Sequence, residues 1–404
     1  MPWPLAFILG IFLPLIGVNL YVGRRLLDAF TDQFGWNRSR VRKALWAIQT
    51  FINLLPVFFF LAYLIYGRAA SSAFNGEVFL VDLLLTYPFW IGLVLVFQLF
   101  LLLLLFEIVK LMLFPWYRRY REEWRRHESH VTLWTAAVTA VYVLLTIVTN
   151  TWTVRIDEHE IPLPPELSDL DGVRIALISD VQADARTGPK TITRFVERVN
   201  ALKPDVIFYA GDVVTSGRTY IGMATELLGR IQAPSGVYAV VGDHDIFSDK
   251  QMVVDGLRRS GIVVAEDTTL TLNIRDRVSV DVTFVTYTYR QRPDFESLKR
   301  QNDHANGVLK ILLVHQPAER LVELAKAEGY HLVLAGHTHG GGIAFGIPGL
   351  FIIAPASFES RYLSGLYKTG QTYVAVTNGL GFTLAPIRYH APAEITLLTL
   401  TVRG

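Results

Sequence analysis

The chain has 404 residues, 51% of them hydrophobic, and a formal net charge of +2. That length allows two or three domains, and the near-neutral balance lacks the basic bias of a nucleic-acid binder. There is no cysteine, which excludes disulfides and thiolate metal sites while fitting either redox compartment.

The hydrophobic excess is concentrated at the N-terminal end. Pro4 to Gly23, Ala44 to Gly67, Leu83 to Phe106 and Val131 to Val154 contain no charged residue. Each reaches the roughly 20 residues that a helix rising about 1.5 Å per residue needs to cross about 30 Å of hydrocarbon. The pattern predicts a transmembrane domain of four helices over residues 1–154. No charge precedes Arg24, unlike a secretory signal, so the first span is expected to be retained.

Basic residues flank these spans unevenly. Arg24, Arg25, Arg38, Arg40, Arg42 and Lys43 lie between the first two, and Lys110, Arg118, Arg119, Arg121, Arg125 and Arg126 between the last two. Only Arg68 lies between the second and third. By the positive-inside rule both basic loops are cytoplasmic, so the domain after Asn150 is expected outside a bacterial inner or plasma membrane. The arginines read as topology signals and anionic-lipid contacts, with the bilayer as partner and no nucleic acid. Trp116, Tyr117, Tyr120 and Trp124 fit an interfacial belt. Gln49, Asn53 and Gln98 are too few, and uncharged, for a conduction path, so the spans read as an anchor.

From Arg155 the pattern changes. A proline-bearing stretch, 155–172, reads as a linker. After it come short apolar runs at Val173 to Ile178, Val206 to Ala210, Val237 to Val241, Val282 to Tyr287, Ile311 to Val314 and Leu332 to Ala335, with helical patterns between several of them. That alternation predicts an α/β domain with buried strands over 173–404.

The residues directly after those runs carry the chemistry. "IALISD" ends in Asp180, "VIFYAGD" in Asp212, and "VYAVVGDHD" in Asp243, His244 and Asp245. "ILLVH" ends in His315, and "LVLAGHTH" in His337 and His339. Ligands of open α/β sheets gather outside the carboxyl ends of strands. Any one of these Asp residues alone reads best as a cap or turn. Together, carboxylates and imidazoles without cysteine suit two hard or borderline divalent cations. The other histidines, 127, 130, 159, 304, 331 and 390, fit no strand-end pattern.

The ordered segments "SDVQ", "AGDVV", "VGDHD", "LLVHQP" and "LAGHTHGG" resemble the calcineurin-like metallophosphoesterase superfamily, whose pattern is DxH, GD, GNH, a lone H and GHxH. The C-terminal "GLYKTGQTYVAVTNGLGFTLAPIRYHAPAEITLLTL" is similar to its bacterial membrane and cell-envelope branch. The resemblance implies a domain of two mixed β-sheets flanked by helices. It implies that Asp180, Gln182 and His339 serve a first metal, that Asp212 bridges, and that Asp243, His315 and His337 serve a second. His244 would act as general acid or electrostatic stabiliser, oriented by Asp245.

Two positions depart from that pattern: Gln182 stands for a histidine and Asp243 for an asparagine. An amide oxygen is a harder, weaker donor than imidazole, which favours manganese, with magnesium, iron(II) or zinc as alternatives. A third aspartate adds negative charge that can retain two dications. Asp184 is a substitute ligand or, more simply, a cap for the next segment. The expected function is a membrane-anchored phosphohydrolase of a phosphodiester, phosphomonoester or pyrophosphate, on a small-molecule or lipid-linked envelope substrate, without an obligate protein partner. The alternative is a catalytically impaired envelope-binding module. Phe345, Phe351, Phe358, Tyr362 and Tyr367 read as ordinary packing, with an acyl-chain entrance as the alternative.

Overall fold

The long uncharged stretches fold as helices. The computed structural model describes residues 3–67, 76–114, 119–296, 298–299, 307–347, 351–382 and 385–402. It divides into two compact units. One is Met1–Thr149 with Phe345–Ile352 and Ala385–Tyr389; the other is Asn150–Ala344, Ile353–Leu384 and His390–Gly404.

The first unit holds α1 (Trp3–Phe34), α2 (Arg38–Ile52), α3 (Leu54–Tyr66), α4 (Tyr87–Met112) and α5 (Arg121–Trp152). Asn37 caps α2, its side-chain oxygen accepting from the Ser39 and Arg40 amides at 3.1 Å. The helix breaks at Asn53 and resumes as α3 with a 45° bend. Pro56 is the physical reason, because it has no N–H to offer the Ile52 carbonyl one turn earlier. Among the described residues, two helical stretches, Phe79–Met112 and His127–Trp152, are long and apolar enough to cross a membrane, and the bent pair makes a third if it is one span. The expectation of four is therefore met in part. The first expected span falls on α1, whose residues 3–13 have side chains outside the described set. Arg68, Trp116, Tyr117, Arg118 and His304 also lie outside the described residues, as do the side chains of Arg121, Arg125 and Arg126.

Charged ends of three helices meet. Arg25 of α1 lies 2.6 Å from Glu128 of α5 and 3.0 Å from Glu107 of α4. Lys110 of α4 lies 2.6 Å from the same Glu128 and 3.1 Å from Glu107. Two residues expected only as topology signals thus also clamp helices together.

In the second unit the stretch expected as a linker forms β1 (Val154–Leu163), in parallel register with β14 (Ala393–Val402) at the far end of the chain. No local sequence signal announces a partner so distant. Between them run β2 (Arg174–Ile178), β3 (Val206–Tyr209), β4 (Val237–Ala239), β5 (Val263–Val264), β6 (Thr268–Ile274), β7 (Val278–Val285), β8 (Leu309–Val314), β9 (Leu332–Ala335), β10 (Phe345–Ile347), β11 (Phe351–Ile353), β12 (Gly365–Thr369) and β13 (Thr372–Val376). One sheet has the order β1-β14-β2-β3-β4-β5 and the other β12-β13-β9-β8-β7-β6, while β10 and β11 form a separate ribbon. β2 to β5 are parallel neighbours, as are β7, β8, β9 and β13; β14 with β2, β12 with β13 and β6 with β7 are antiparallel. Both sheets are mixed, as expected.

Strand alternation assigns the layers. Ile175 and Leu177 of β2 join Phe208, Val282, Phe284, Ile311 and Leu313 in a core shared by the two sheets. Ala176 and Ile178 point the other way, onto α6 (Pro189–Ala201), α7 (Ile221–Leu228) and α9 (Lys250–Arg259), α8 being the single turn Asp243–Ser248 before α9. The far face of the second sheet packs Leu312, Val314 and Val333 on Leu321, Val322 and Ala325 of α10 (Glu319–Ala327). Phe208 and Tyr238 meet as tilted rings with centroids 6.1 Å apart, as do Tyr238 and Phe284 at 6.3 Å. Phe208→Ala is expected to cost about 3–5 kcal/mol through the cavity it leaves; a thermal midpoint equal to the parent's would show that the inter-sheet core does not hold β3.

Candidate metal centre

The two parallel blocks end on the same kind of residue. Asp180 comes after β2, Asp212 after β3, Asp243 after β4, His315 immediately after β8, and His337 and His339 after β9. The fold brings them into two overlapping groups, Asp243 with His315 and His337, and Asp180 with Asp212 and His315. In each group the donor atoms lie within 4.8 Å of one another. His339 Nε2 lies 3.3 Å from Asp180 Oδ1. Four of these residues, Asp180, Asp212, His337 and His339, have positive φ, and so does Gln182. Side chains other than glycine strain that region by about 1–2 kcal/mol each, and such strain concentrates at functional sites.

The ring tautomers are set by outward contacts. His315 Nδ1 lies 2.6 Å from the Ala210 carbonyl, so it carries the proton, and Nε2 points at Asp212 and Asp243 at 3.4 and 3.5 Å. His337 Nε2 faces Glu359 at 3.3 Å, which turns Nδ1 toward Asp243 at 3.2 Å. Outer partners of this kind orient ligand histidines. Burial works against the Asp243 carboxylate, but the His315 and His337 rings hold it well below the usual carboxylate range. Burial opposes charge on His337 too, yet Asp243 and Glu359 raise its pKa.

Both departures from the family pattern have matched surroundings. Gln182 Nε2 donates to Asp212 Oδ2 at 2.8 Å. That contact fixes the amide, since the opposite orientation would set oxygen against carboxylate. The Gln182 Oε1 left behind is buried without a hydrogen-bond donor, as is Asp180 Oδ1. Asp243 Oδ1 accepts from the Tyr289 amide at 2.8 Å and Oδ2 from Gln316 Nε2 at 2.7 Å. A carboxylate satisfies both donors, whereas an asparagine cannot.

His244 and Asp245 play different parts from each other. The His244 amide donates to Asp212 Oδ1 at 2.9 Å, and its ring Nδ1 is held by the Thr215 carbonyl, leaving Nε2 to face outward. Asp245 does not orient that ring, contrary to expectation. Its carboxylate accepts from the amides of Gly242 and Asp212 at 2.9 Å and of Val213 at 2.8 Å. The carboxylate is turned to three backbone donors, and the His244 ring Nδ1 is held by Thr215 instead. Burial and then the charge of Asp212 push its carboxyl up to about 6, against the pull of those donors. Gly242 allows the approach: a Cβ there would stand 2.6 Å from the Asp212 amide nitrogen. Asp184 accepts from the Arg186 and Thr187 amides at 2.8 Å, the capping role.

Sequence reading missed Tyr289, Gln316, Glu359 and Thr215. Tyr289 carried a usable signal, since it comes after β7, which runs parallel to β8 and β9 and must end on the same side. Glu359, which also accepts the Tyr289 hydroxyl at 2.8 Å, stands at no strand end and offered none.

Residues 173–341 match the family model described as calcineurin-like phosphoesterase. Similar proteins include the uncharacterized metallophosphoesterase YkuE of Bacillus subtilis, 31% identical over 61% of this chain and 85% of that one. The chain belongs to the calcineurin-like metallophosphoesterases. It is therefore a phosphoesterase hydrolase of a family that uses divalent metals. A zebrafish (Danio rerio) transmembrane protein with a metallophosphoesterase domain is 28% identical over 65% of this chain and 61% of its own length. An uncharacterized metallophosphoesterase of Helicobacter pylori is 27% identical over 59% of this chain and 62% of its own. The chain thus spans less than two thirds of these last two relatives.

The donor set fits divalent cations: inward-facing imidazole nitrogens, carboxylates, and two buried oxygens that no protein donor satisfies. Asp243→Asn, the change toward the family's usual residue, should set an NH2 group against Tyr289 N–H or Gln316. Flipping Gln316 would forfeit its 3.3 Å contact with Arg292. The expected loss is about 1–3 kcal/mol, read as a lower thermal midpoint of metal-free protein; an unchanged or higher midpoint would refute the match.

Proposed function

We propose that the chain is a membrane-anchored phosphohydrolase that uses two divalent cations, manganese favoured, on a phosphate ester or pyrophosphate of the cell envelope. The observation that carries this reading is the pair of matched departures: Gln182 keeps a buried oxygen aimed away from Asp212, and the two donors around Asp243 suit a carboxylate. A decaying site would have no reason to retain partners suited to its substitutions.

In this reading Asp180, Gln182, Asp212, Asp243, His315, His337 and His339 would hold the two cations. The cations would supply charge neutralisation for phosphoryl oxygens and a lowered pKa for attacking water. The protein's own contributions are positional. His315 turns Nε2 inward and His337 Nδ1 because Ala210 and Glu359 engage the opposite ring atoms. His244, held at Nδ1 by Thr215, keeps Nε2 for a proton on the leaving oxygen. Asp245 keeps the two turns bearing Asp212 and Asp243 in register and acts on the reaction only through them.

The full chain in lipid nanodiscs, stripped with chelator and reloaded, should retain two manganese ions per chain by elemental analysis; one ion or none overturns the dinuclear reading. His244→Ala should keep both ions and lose about 10²–10⁴-fold in turnover of an aryl phosphate ester. Turnover at the parent rate would remove His244 from proton transfer.

The reading also places the catalytic unit outside the cytoplasm. Its support is that Arg25 of α1 and Lys110 of α4 meet at Glu128, joining the two basic ends at one end of the helical unit. An impermeant maleimide should label Arg155→Cys in intact cells, against a background without native cysteine. Labelling only after permeabilisation reverses the orientation.

A further inference from the structure

The helical unit contains a piece of chain that sequence assigns elsewhere. The ribbon segment Phe345–Ile352, with Ala385–Tyr389, belongs to the unit of residues 1–149. Its seat is Gln98, buried in the middle of α4. Gln98 Nε2 donates to the Gly346 carbonyl at 3.0 Å, and the Gly346 amide donates back to Gln98 Oε1 at 3.4 Å. A side-chain amide thus pairs with one residue of backbone much as a neighbouring strand would.

Depth comes from helix geometry. In the uncharged stretch Leu83 to Phe106, Gln98 stands 15 positions after the first residue and 8 before the last. At about 1.5 Å per residue it is about 23 Å from one end and about 12 Å from the other, inside a hydrocarbon core about 30 Å thick. Backbone outside a helix survives at that depth only where protein satisfies its polar groups, which is what Gln98 does for Gly346. Gly346 has φ +135°, and a Cβ there would stand 3.2 Å from Ile352 Cα, so the ribbon's own closure requires glycine. Aromatic contacts buttress the seat. Phe345 lies 4.5 Å from Phe97 of α4 and 6.4 Å from Tyr389, which lies 6.5 Å from Tyr142 of α5.

The ribbon's other side is apolar and uncovered. Phe351 is 41% exposed and Ile352 43%, matching Leu104 at 40% and Leu105 at 44% on α4 itself. Leu104 and Leu105 lie in the apolar stretch Phe79–Met112, long enough to cross a bilayer. Tyr362 and Tyr367, grouped with these aromatics by sequence, meet edge to face at 5.2 Å, Tyr362 in the core and Tyr367 packed against it.

We propose that the ribbon strand β10 (Phe345–Ile347), with Phe351 and Ile352 of β11, is a membrane-embedded element seated on α4 by Gln98, with Phe351 and Ile352 in contact with lipid. Its place in the chain gives this surface a use. Six positions before Phe345 is His339, and seven after Ile352 is Glu359, the partner of His337. A lipid-facing element is therefore spliced between two residues of the metal centre by short tethers. Resting on the phosphohydrolase reading above, this assigns the substrate class: a phosphate ester whose other arm is a lipid anchor, drawn from the bilayer.

The test uses the absence of native cysteine. Nitroxide labels at Phe351→Cys, at Leu105→Cys as lipid-facing reference and at Asp276→Cys as aqueous reference are compared in full-length protein in phosphatidylethanolamine and phosphatidylglycerol nanodiscs. The Phe351 label should match Leu105, with high collision with oxygen and low collision with a nickel chelate; a ratio matching Asp276 overturns the embedded ribbon. Adding Gln98→Leu should shift the Phe351 label toward the aqueous ratio while manganese content, as a check on folding, stays unchanged. No shift overturns Gln98 as the seat. For substrate class, Phe351→Asp should lower turnover of dioleoyl phosphatidic acid relative to p-nitrophenyl phosphate by at least about tenfold, and an unchanged ratio overturns delivery from lipid. A parent protein that hydrolyses neither ester with manganese present overturns the hydrolase reading and the substrate class together. The spin-label result is independent of that outcome.

Discussion

One buried carboxylate holds the centre together. Asp245 takes backbone N–H groups from Gly242 on its own turn and from Asp212 and Val213 on the neighbouring one. The strand-end turns of β3 and β4 are thereby tied edge to edge, and Asp212, Asp243 and His244 inherit their positions from that tie. The return contact is the His244 amide on Asp212 Oδ1. Three amides converging on one carboxylate leave little freedom, and they help hold Asp212 in its left-handed conformation. Packing alone supplies no such directionality. A hydrophobic core can hold two strands adjacent, but it does not fix the rotation of the turn beyond them.

The same principle governs the two altered ligands. Replacing an imidazole with an amide brings an N–H as well as an oxygen, and an N–H inside a cation site is a liability unless something absorbs it. Asp212 Oδ2 does so, which leaves the Gln182 oxygen as the only end of that amide without a protein partner. At Asp243 the extra charge is set against Tyr289 N–H, Gln316 Nε2 and two imidazoles. Each substitution is consistent with its surroundings at the level of single donors and acceptors.

Much of the candidate site was legible in sequence because its donors stand within a few residues of buried strands, and strand ends can be read from apolar runs. Asp180, Asp212, Asp243, His315, His337 and His339 were found that way. Asp245 was found but misjudged, because its partners are backbone amides, which have no letter in a sequence. The positive φ of five candidate residues was equally silent: Asp and His give no sign of the backbone region they occupy. β1 hid in an apparent linker because its partner is β14, and pairing across the whole domain leaves no local pattern. Tyr289 was recoverable from topology alone, while Glu359 required coordinates.

Polar residues of the apolar helices are committed in the same directional way. Gln49, Asn53 and Gln98 are the uncharged polar residues that the sequence reads as too few for a conduction path, and each has a backbone partner. Gln49 Nε2 donates to the Asn19 carbonyl at 2.7 Å, Asn53 Nδ2 to the Gln49 carbonyl at 2.7 Å, and Gln98 to Gly346. Each side-chain amide is engaged with backbone, and Arg25, Glu107, Lys110 and Glu128 of the same helical unit are engaged with one another. A transport route needs polar groups that can exchange partners with a passing solute. Groups committed to holding backbone in place do the opposite work, fixing helix to helix and, at Gln98, fixing a ribbon of the phosphoesterase sequence into the helical unit.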